Sequence, residues 1–297
     1  MKIETQEISL PLLKEKGVRL YIKRLDKIHP FISGNKWFKL KYNLMEAKRL
    51  GYNSLLTFGG SYSNHIFASA FAAKEKGFRS VGVIRGEEKL PLNPTLAFAS
   101  RHNMQFYYVS RENYRLKTNS GFLDNLKKQF GDFYLIPEGG TNLLAIKGTA
   151  EILNKADTQD YICCSVGTGG TIAGIVNASV KTQDIIGFPA IKGFDVLEKE
   201  IRSWTNKQNY KFIHNYTCNG YARVSEALVD FINEFYLKHN IPFDAIYTGK
   251  MMLGVMDLVS KNYFPKGSSV LVIHTGGLQA NNGMNQRLGL NLPSINH

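Results

Sequence analysis

The chain has 297 residues, of which 43% are apolar and 21% charged, with 37 Lys and Arg against 24 Asp and Glu and a formal charge of +13. That length buries a substantial core and favours about two domains; the composition excludes a disordered chain, and no run reaches the roughly 18 apolar residues of a membrane span. The positive charge suits nucleic acid, an acidic membrane surface or small anions, but the basic residues are scattered and no RNA-binding aromatic motif accompanies them, so no nucleic-acid or membrane partner is expected.

The opening MKIETQEISLPLL lacks the basic-then-apolar layout of a secretion signal, so a cytoplasmic location is expected. Residues 38–51, FKLKYNLMEAKRLG, carry apolar side chains at helical spacing and stop at Gly51. SLLTFGG at 54–60 reads as a strand running into glycines, and SNHIFASAFAAKEKG at 63–77 as a helix capped by Ser63 or Asn64 and ended by Gly77. The same grammar repeats through strand 80–86, a helix at 93–103 with Pro94 in its first turn, strand 105–110, helix 122–131 and strand 133–140. After a helix within 140–157, the strand DYICCSV at 160–166 meets GTGGTIAGIVNAS at 167–179. Further strands are predicted at 184–190, 211–216, 244–249 and 268–277, between helical segments such as 225–240 and 252–264. This alternation predicts an α/β fold of mainly parallel sheets flanked by helices on both faces. Cys163, Cys164 and Cys218 are odd in number, two of them adjacent, without C-x-x-C spacing; they read as reduced thiols, and no metal is expected.

Four strands end in glycine or polar turns: FGGSYSNH, PEGGTN, SVGTGGTIAG and HTGG. In parallel sheets ligands sit at the carboxyl ends of strands, so these turns are expected to converge on one crevice. Gly167, Thr168, Gly169, Gly170 and Thr171 join a strand to a helix, where free backbone N–H groups, the helix N-terminus and two hydroxyls make a cup for an anion. No Gly-Lys-Ser/Thr follows, as a Walker loop requires, and Ile172 stands where the dinucleotide fingerprint has its third glycine. A single phosphate on a small cofactor is the better fit, although such a loop can also be a plain tight turn. Lys36 follows Ser-Gly-Asn in SGNKWFKL at 33–40. Most lysines of so basic a chain are solvated surface charges, but a lysine amine and a phosphate cup together are what pyridoxal phosphate needs.

Taken in order, SGNKWFKL, GGSYSNH at 59–65, GTGGTIAG at 167–174, YTGK at 247–250 and HTGG at 274–277 resemble the pyridoxal phosphate enzymes grouped as 1-aminocyclopropane-1-carboxylate deaminase and D-cysteine desulfhydrase. The resemblance spans nearly the whole chain. It implies a tryptophan synthase β-like architecture (fold type II) of two lobes, with a small domain at 46–149 inserted into a large cofactor-binding domain of 1–45 and 150–297, and a homodimer. It implies that Lys36 carries pyridoxal 5'-phosphate through a Schiff base, that Asn64 meets the ring hydroxyl, that Gly167 to Thr171 hold the phosphate, and that Thr275 lies near the pyridine nitrogen. Ser63, Asn64 and His65 would meet a small amino-acid substrate, and Tyr247 and Tyr221 would be active-site tyrosines. Read without the resemblance, Asn64 is equally a helix cap, His65 a satisfied polar residue and His274 structural.

Two departures from the family bear on the reaction. Thr248 stands where the deaminases have a glutamate near the pyridine nitrogen, which removes a carboxylate that would strengthen the electron sink. Trp37 and Phe38 replace a polar pair beside the lysine and are expected to alter the pocket. The expected activity is that of a lyase or deaminase of small amino acids, desulfhydrase-like β-elimination giving a keto acid and ammonia. The alternatives are 1-aminocyclopropane-1-carboxylate deamination and, remotely, a non-catalytic anion- or nucleic-acid-binding protein.

Overall fold

A computed structural model describes residues 3–294 except Lys192, Asn219, Tyr221 and Ala222. The chain begins with β1 (Thr5–Ile8), α1 (Pro11–Lys16), β2 (Arg19–Arg24) and α2 (Asn35–Arg49). It continues through β3 (Ser54–Gly60), α3 (Asn64–Glu75), β4 (Arg79–Arg85), α4 (Pro94–Arg101), β5 (Met104–Val109), α5 (Arg111–Tyr114), α6 (Ser120–Phe130) and β6 (Tyr134–Ile136). Next come α7 (Leu143–Ala150), β7 (Tyr161–Val166), α8 (Gly170–Ala178), β8 (Asp184–Pro189), α9 (Asp195–Ser203) and β9 (Tyr210–Phe212). The last elements are α10 (Glu226–His239), α11 (Thr248–Ser260), β10 (Ser269–His274) and α12 (Gln279–Leu288).

Two sheets result: six strands in the order β1-β2-β10-β7-β8-β9 and four in the order β5-β4-β3-β6. All pairings are parallel except β1 with β2, a short edge pair that the sequence pattern does not announce. Both faces of the larger sheet are covered, as its continuous apolar runs require. Along β10, Val270 and Val272 enter one core while Leu271 and Ile273 enter another on the opposite face. In the smaller sheet Leu55 and Leu56 of β3 divide in the same way.

The predicted strand at 244–249 is absent. Asp244 instead accepts from the backbone N–H groups of Ile246 and Tyr247 with one carboxylate oxygen and from that of Thr248 with the other, which turns the chain into α11. An aspartate placed to satisfy the unpaired donors of a helix start outweighs the β-propensity of Ile and Tyr. The strand expected at 211–216 shortens to β9, three residues long. Cys163 and Cys164 are buried free thiols, and burial pushes the Cys164 thiol up to about 12, far from a reactive thiolate.

Candidate active site

The start of α2 is shaped around the HTGG turn. Gly34 has φ +67°, and a Cβ there would lie 1.8 Å from the carbonyl oxygen of Thr275, so only glycine fits; the next residue, Asn35, donates its backbone N–H to that oxygen. Asn35 also donates from Nδ2 to Thr171 Oγ1 at 2.8 Å, joining α2 to the first turn of α8. Lys36 is therefore delivered between two strand-end turns. Its amine has no hydrogen-bond or ion-pair partner among the described residues, and desolvation lowers its pKa to about 8.

One helical turn on, Lys39 is 2% exposed and its ammonium donates to Gly139 O (3.0 Å), Thr141 Oγ1 (2.8 Å) and Thr168 Oγ1 (3.1 Å). Sequence reasoning missed this residue. The signal was its i+3 spacing from Lys36, which puts both amines on one helix face. Thr141 and Thr168 share a hydrogen bond of 2.5 Å, so the PEGGTN and GTGG turns are stitched together around the Lys39 amine. At Gly169 the backbone is left-handed and no described side chain caps α8; the Gly170 N–H is taken by Thr168 O, and the N–H groups of Thr171 and Ile172 remain for a ligand. The glycines of the cup answer to their neighbours: Cβ atoms at 167, 169 and 170 would press on Tyr247, Ile201 and Thr141. A larger residue at 169 would thus collide first with α9, not with a bound phosphate.

Ser63, not Asn64, caps α3: its Oγ accepts from the N–H groups of His65 and Ile66. The Ser63 hydroxyl hydrogen remains available to a ligand. Asn64 lies against Gly277 of the HTGG turn, and its side-chain oxygen is buried with no partner among the described residues. His65 is enclosed, with Nε2 2.7 Å from Thr57 Oγ1 and Nδ1 3.4 Å from Ser69 Oγ. Thr57 gives its proton to the carbonyl of Ile136, so Nε2 carries the imidazole proton and donates to Thr57, while Nδ1 accepts from Ser69. Burial and the nearby Lys36 and Lys39 amines push His65 well below the ordinary histidine range, keeping it neutral. Thr275 Oγ1 lies 3.3 Å from Ser165 Oγ across the ends of β10 and β7. His274 lies with Nε2 against Pro242 O and with Nδ1 near the Gly276 N–H and the Asp26 carboxylate, a structural residue.

Three expectations change. Thr248 is fully buried, with its hydroxyl donating to Asp244 Oδ2 (2.5 Å) and accepting the Asp244 N–H (2.9 Å), so it braces the turn that leads into α11 and does not present that hydroxyl to a ligand. Trp37 stacks on His29, ring centroids 5.5 Å apart, and Phe38 is buried in the core between α2 and the large sheet, so both belong to packing. Tyr221 lies outside the described residues. Tyr247 is half-buried against Gly167, next to the cup.

The pocket is short of an anion. Among the described residues the charges acting on Lys36, Lys39 and His65 include no carboxylate, and Thr168, Thr171 and the start of α8 add donors. A phosphate-bearing aldehyde fits this set: an unpartnered amine for the aldehyde, cationic and neutral donors for the phosphate, and the orphaned Asn64 oxygen for a ring hydroxyl.

Comparison with known proteins agrees. A protein of Thermotoga maritima provisionally named 1-aminocyclopropane-1-carboxylate deaminase is 31% identical over 91% of this chain and 92% of its own length. The bifunctional D-cysteine desulfhydrase/1-aminocyclopropane-1-carboxylate deaminase of Arabidopsis thaliana mitochondria is 28% identical over 88% of this chain and 73% of its own. The crystal structure of an ACC deaminase homologue superposes with a TM-score of 0.81 at 27% identity, covering 97% of this chain and 93% of that one. The model of the family described as pyridoxal-phosphate dependent enzyme matches residues 3–276, and the chain belongs to that family.

Proposed function

We propose that this pyridoxal phosphate-dependent enzyme catalyses β-elimination on small amino acids such as D-cysteine, giving a keto acid and ammonia with release of sulfide. The observation that carries the reading is the unpartnered Lys36 amine, one turn from a Lys39 already bonded into the cup. Lys36 and Asn64 would hold the aldehyde and ring-hydroxyl ends of the cofactor; Gly167, Thr168, Gly169, Gly170, Thr171 and Lys39 would hold its phosphate, and Thr275 its ring nitrogen. When bound, the cofactor supplies a conjugated ring that draws off negative charge from the substrate α-carbon.

The chain's own groups do the rest. Lys36, whose pKa desolvation lowers to about 8, gives up its proton far more readily than an ordinary lysine and is placed to take the α-proton. The Ser63 hydroxyl and the start of α3 hold the substrate carboxylate, with Asn64 beside them and His65 keeping that helix start in place through Thr57 and Ser69. Tyr247 and Tyr221 supply hydroxyls that protonate the departing group. As the α-proton leaves, the Cβ–S bond breaks with its electron pair on sulfur; water then replaces nitrogen, yielding keto acid and ammonia.

The ring-nitrogen end supports a modest electron sink. Thr275 and Ser165 are neutral hydroxyls, and Thr248 is committed to Asp244. Thiolate and chloride leave readily from such a site, whereas a strained ring carbon demands more. Cyclopropane opening is the second reading, favoured by the name of the Thermotoga relative. We further place the enzyme in the cytoplasm as a homodimer, with residues 46–149 as a small domain inserted between 1–45 and 150–297. Keto acid formation from D-cysteine, β-chloro-D-alanine and 1-aminocyclopropane-1-carboxylate separates the readings: fast turnover of the first two supports elimination, and comparable turnover of the cyclopropane overturns it.

A further inference from the structure

Helix α2 carries a fully buried asparagine with no part in the chemistry above. Asn43 is 0% exposed, and both ends of its amide are bonded. Its Nδ2 donates to Lys39 O (2.8 Å) and to Asn142 Oδ1 (3.2 Å), and its Oδ1 accepts from Asn142 Nδ2 (2.6 Å) and from the Tyr134 hydroxyl (3.3 Å). Asn142 Oδ1 also accepts the Ala145 N–H at 2.9 Å as the N-cap of α7. A backbone N–H can meet only the oxygen end of that amide, so the cap fixes the direction of the whole pair. The two amides form a closed exchange of donors and acceptors between α2 and the PEGGTN turn. Sliding either segment would leave a buried donor unpaired, so the pair holds one register.

The segments it joins carry the cup. Asn142 directly follows Thr141, whose hydroxyl bonds both Lys39 and Thr168. Lys39 lies one turn before Asn43 on the same face of α2, and its carbonyl accepts the Asn43 amide. Neighbouring helices meet closely here. A Cβ at Gly148 of α7 would lie 2.0 Å from Phe38 O of α2, and one at Gly174 of α8 would lie 2.1 Å from Thr149 Oγ1 of α7. Thr149 in turn donates to Gly170 O at the start of α8. Helices α2, α7 and α8 are thus joined into one unit that bears Lys39, Thr141 and the GTGG turn, and the Asn43–Asn142 pair sets Thr141 relative to Lys39.

We infer that Asn43 is a positioning residue for the cofactor phosphate: through Asn142 it fixes the Thr141 hydroxyl, and with it Thr168 and the Lys39 ammonium, at the spacing the phosphate requires. The inference rests on the reading in which the cup holds that phosphate. Asn43→Leu keeps the branching at Cγ and removes the amide. Asn142→Ser keeps an oxygen to cap α7 but is too short to reach Asn43. In the holoenzyme each variant should shift the phosphorus NMR resonance of the bound cofactor and speed cofactor release by about tenfold, as the loss of a hydrogen bond or two does. The affinity of cofactor-free protein for pyridoxal, which has no phosphate, should stay at the wild-type value. Combining the two substitutions should lose no more than the worse single variant, since both break one link. Asn142→Ser also covers a leucine variant that fails to fold. Wild-type resonance and release in the folded variants, equal losses for pyridoxal, or losses that multiply overturn the inference. Lys39→Met separates it from the reading beneath. A shifted resonance with Lys39→Met and none with Asn43→Leu or Asn142→Ser leaves the phosphate in the cup without help from Asn43; no shift in any of the three means that the phosphate is bound elsewhere, and both fall.

Discussion

Lys36 and Lys39 are the same residue type one turn apart, and the structure gives them opposite jobs. Lys36 has an amine without partners among the described residues, and desolvation holds it near 8; Lys39 has three partners and a pKa also lowered by burial and by Lys36. In cofactor-free protein, acylation of Lys36 should follow the neutral amine and rise with pH to a plateau with a midpoint near 8, where an ordinary lysine would still be protonated. Peptide mapping after acetic anhydride at a series of pH values checks this; a midpoint above 10 would remove the case for a poised base. Lys39→Met should weaken pyridoxal phosphate binding by about 10–100-fold, the worth of charge-assisted hydrogen bonds, while leaving the affinity for pyridoxal, which lacks the phosphate, unchanged. Equal losses for both ligands would place Lys39 away from the phosphate.

The start of α11 turns on Asp244 and Thr248. One fully buried carboxylate accepts three backbone N–H groups and the Thr248 hydroxyl, so the segment that composition reads as a strand becomes a capped helix start. Thr248→Val should lower unfolding stability by about 2–3 kcal/mol through two lost hydrogen bonds, the one to Asp244 Oδ2 and the one from the buried Asp244 N–H, with turnover within about twofold of wild type. Urea denaturation and steady-state kinetics together decide it: unchanged stability with a large loss of turnover would return Thr248 to the cofactor ring. The same lesson applies to α8, where Gly169 has φ +79° and a Cβ would meet Ile201 at 2.7 Å. That glycine serves the packing of α9 as well as the cup.

Across the whole molecule the pocket draws on both sheets. Asn64 and Thr141 follow strands of the four-stranded sheet, while Thr168 and Thr275 follow strands of the six-stranded one. A ligand held by all four binds only when both sheets are folded and docked, so it stabilises the native state as a unit. Pyridoxal phosphate at about 100 times its Kd should add about 2.7 kcal/mol and raise the calorimetric midpoint by several degrees in a single transition. A shift in one of two separate transitions would mean that one sheet alone binds it.

Alternation of apolar strands with amphipathic helices, glycine turns at strand ends and a lysine after Ser-Gly-Asn are local patterns. From them the sequence by itself determined the α/β class, the places of β3, β4, β5, β7, β8 and β10, and the set of turns that meet at the pocket, because periodicity and backbone freedom are properties of neighbouring residues. Which way a side chain faces is not. The direction of Gly169, the burial of Thr248 on Asp244, the packing of Trp37 and Phe38, and the capture of Lys39 by two turns about a hundred residues away depend on contacts between segments far apart in the chain. Only the tertiary structure decided those, since a donor or a methyl group finds its partner after the sheets and helices have been brought together.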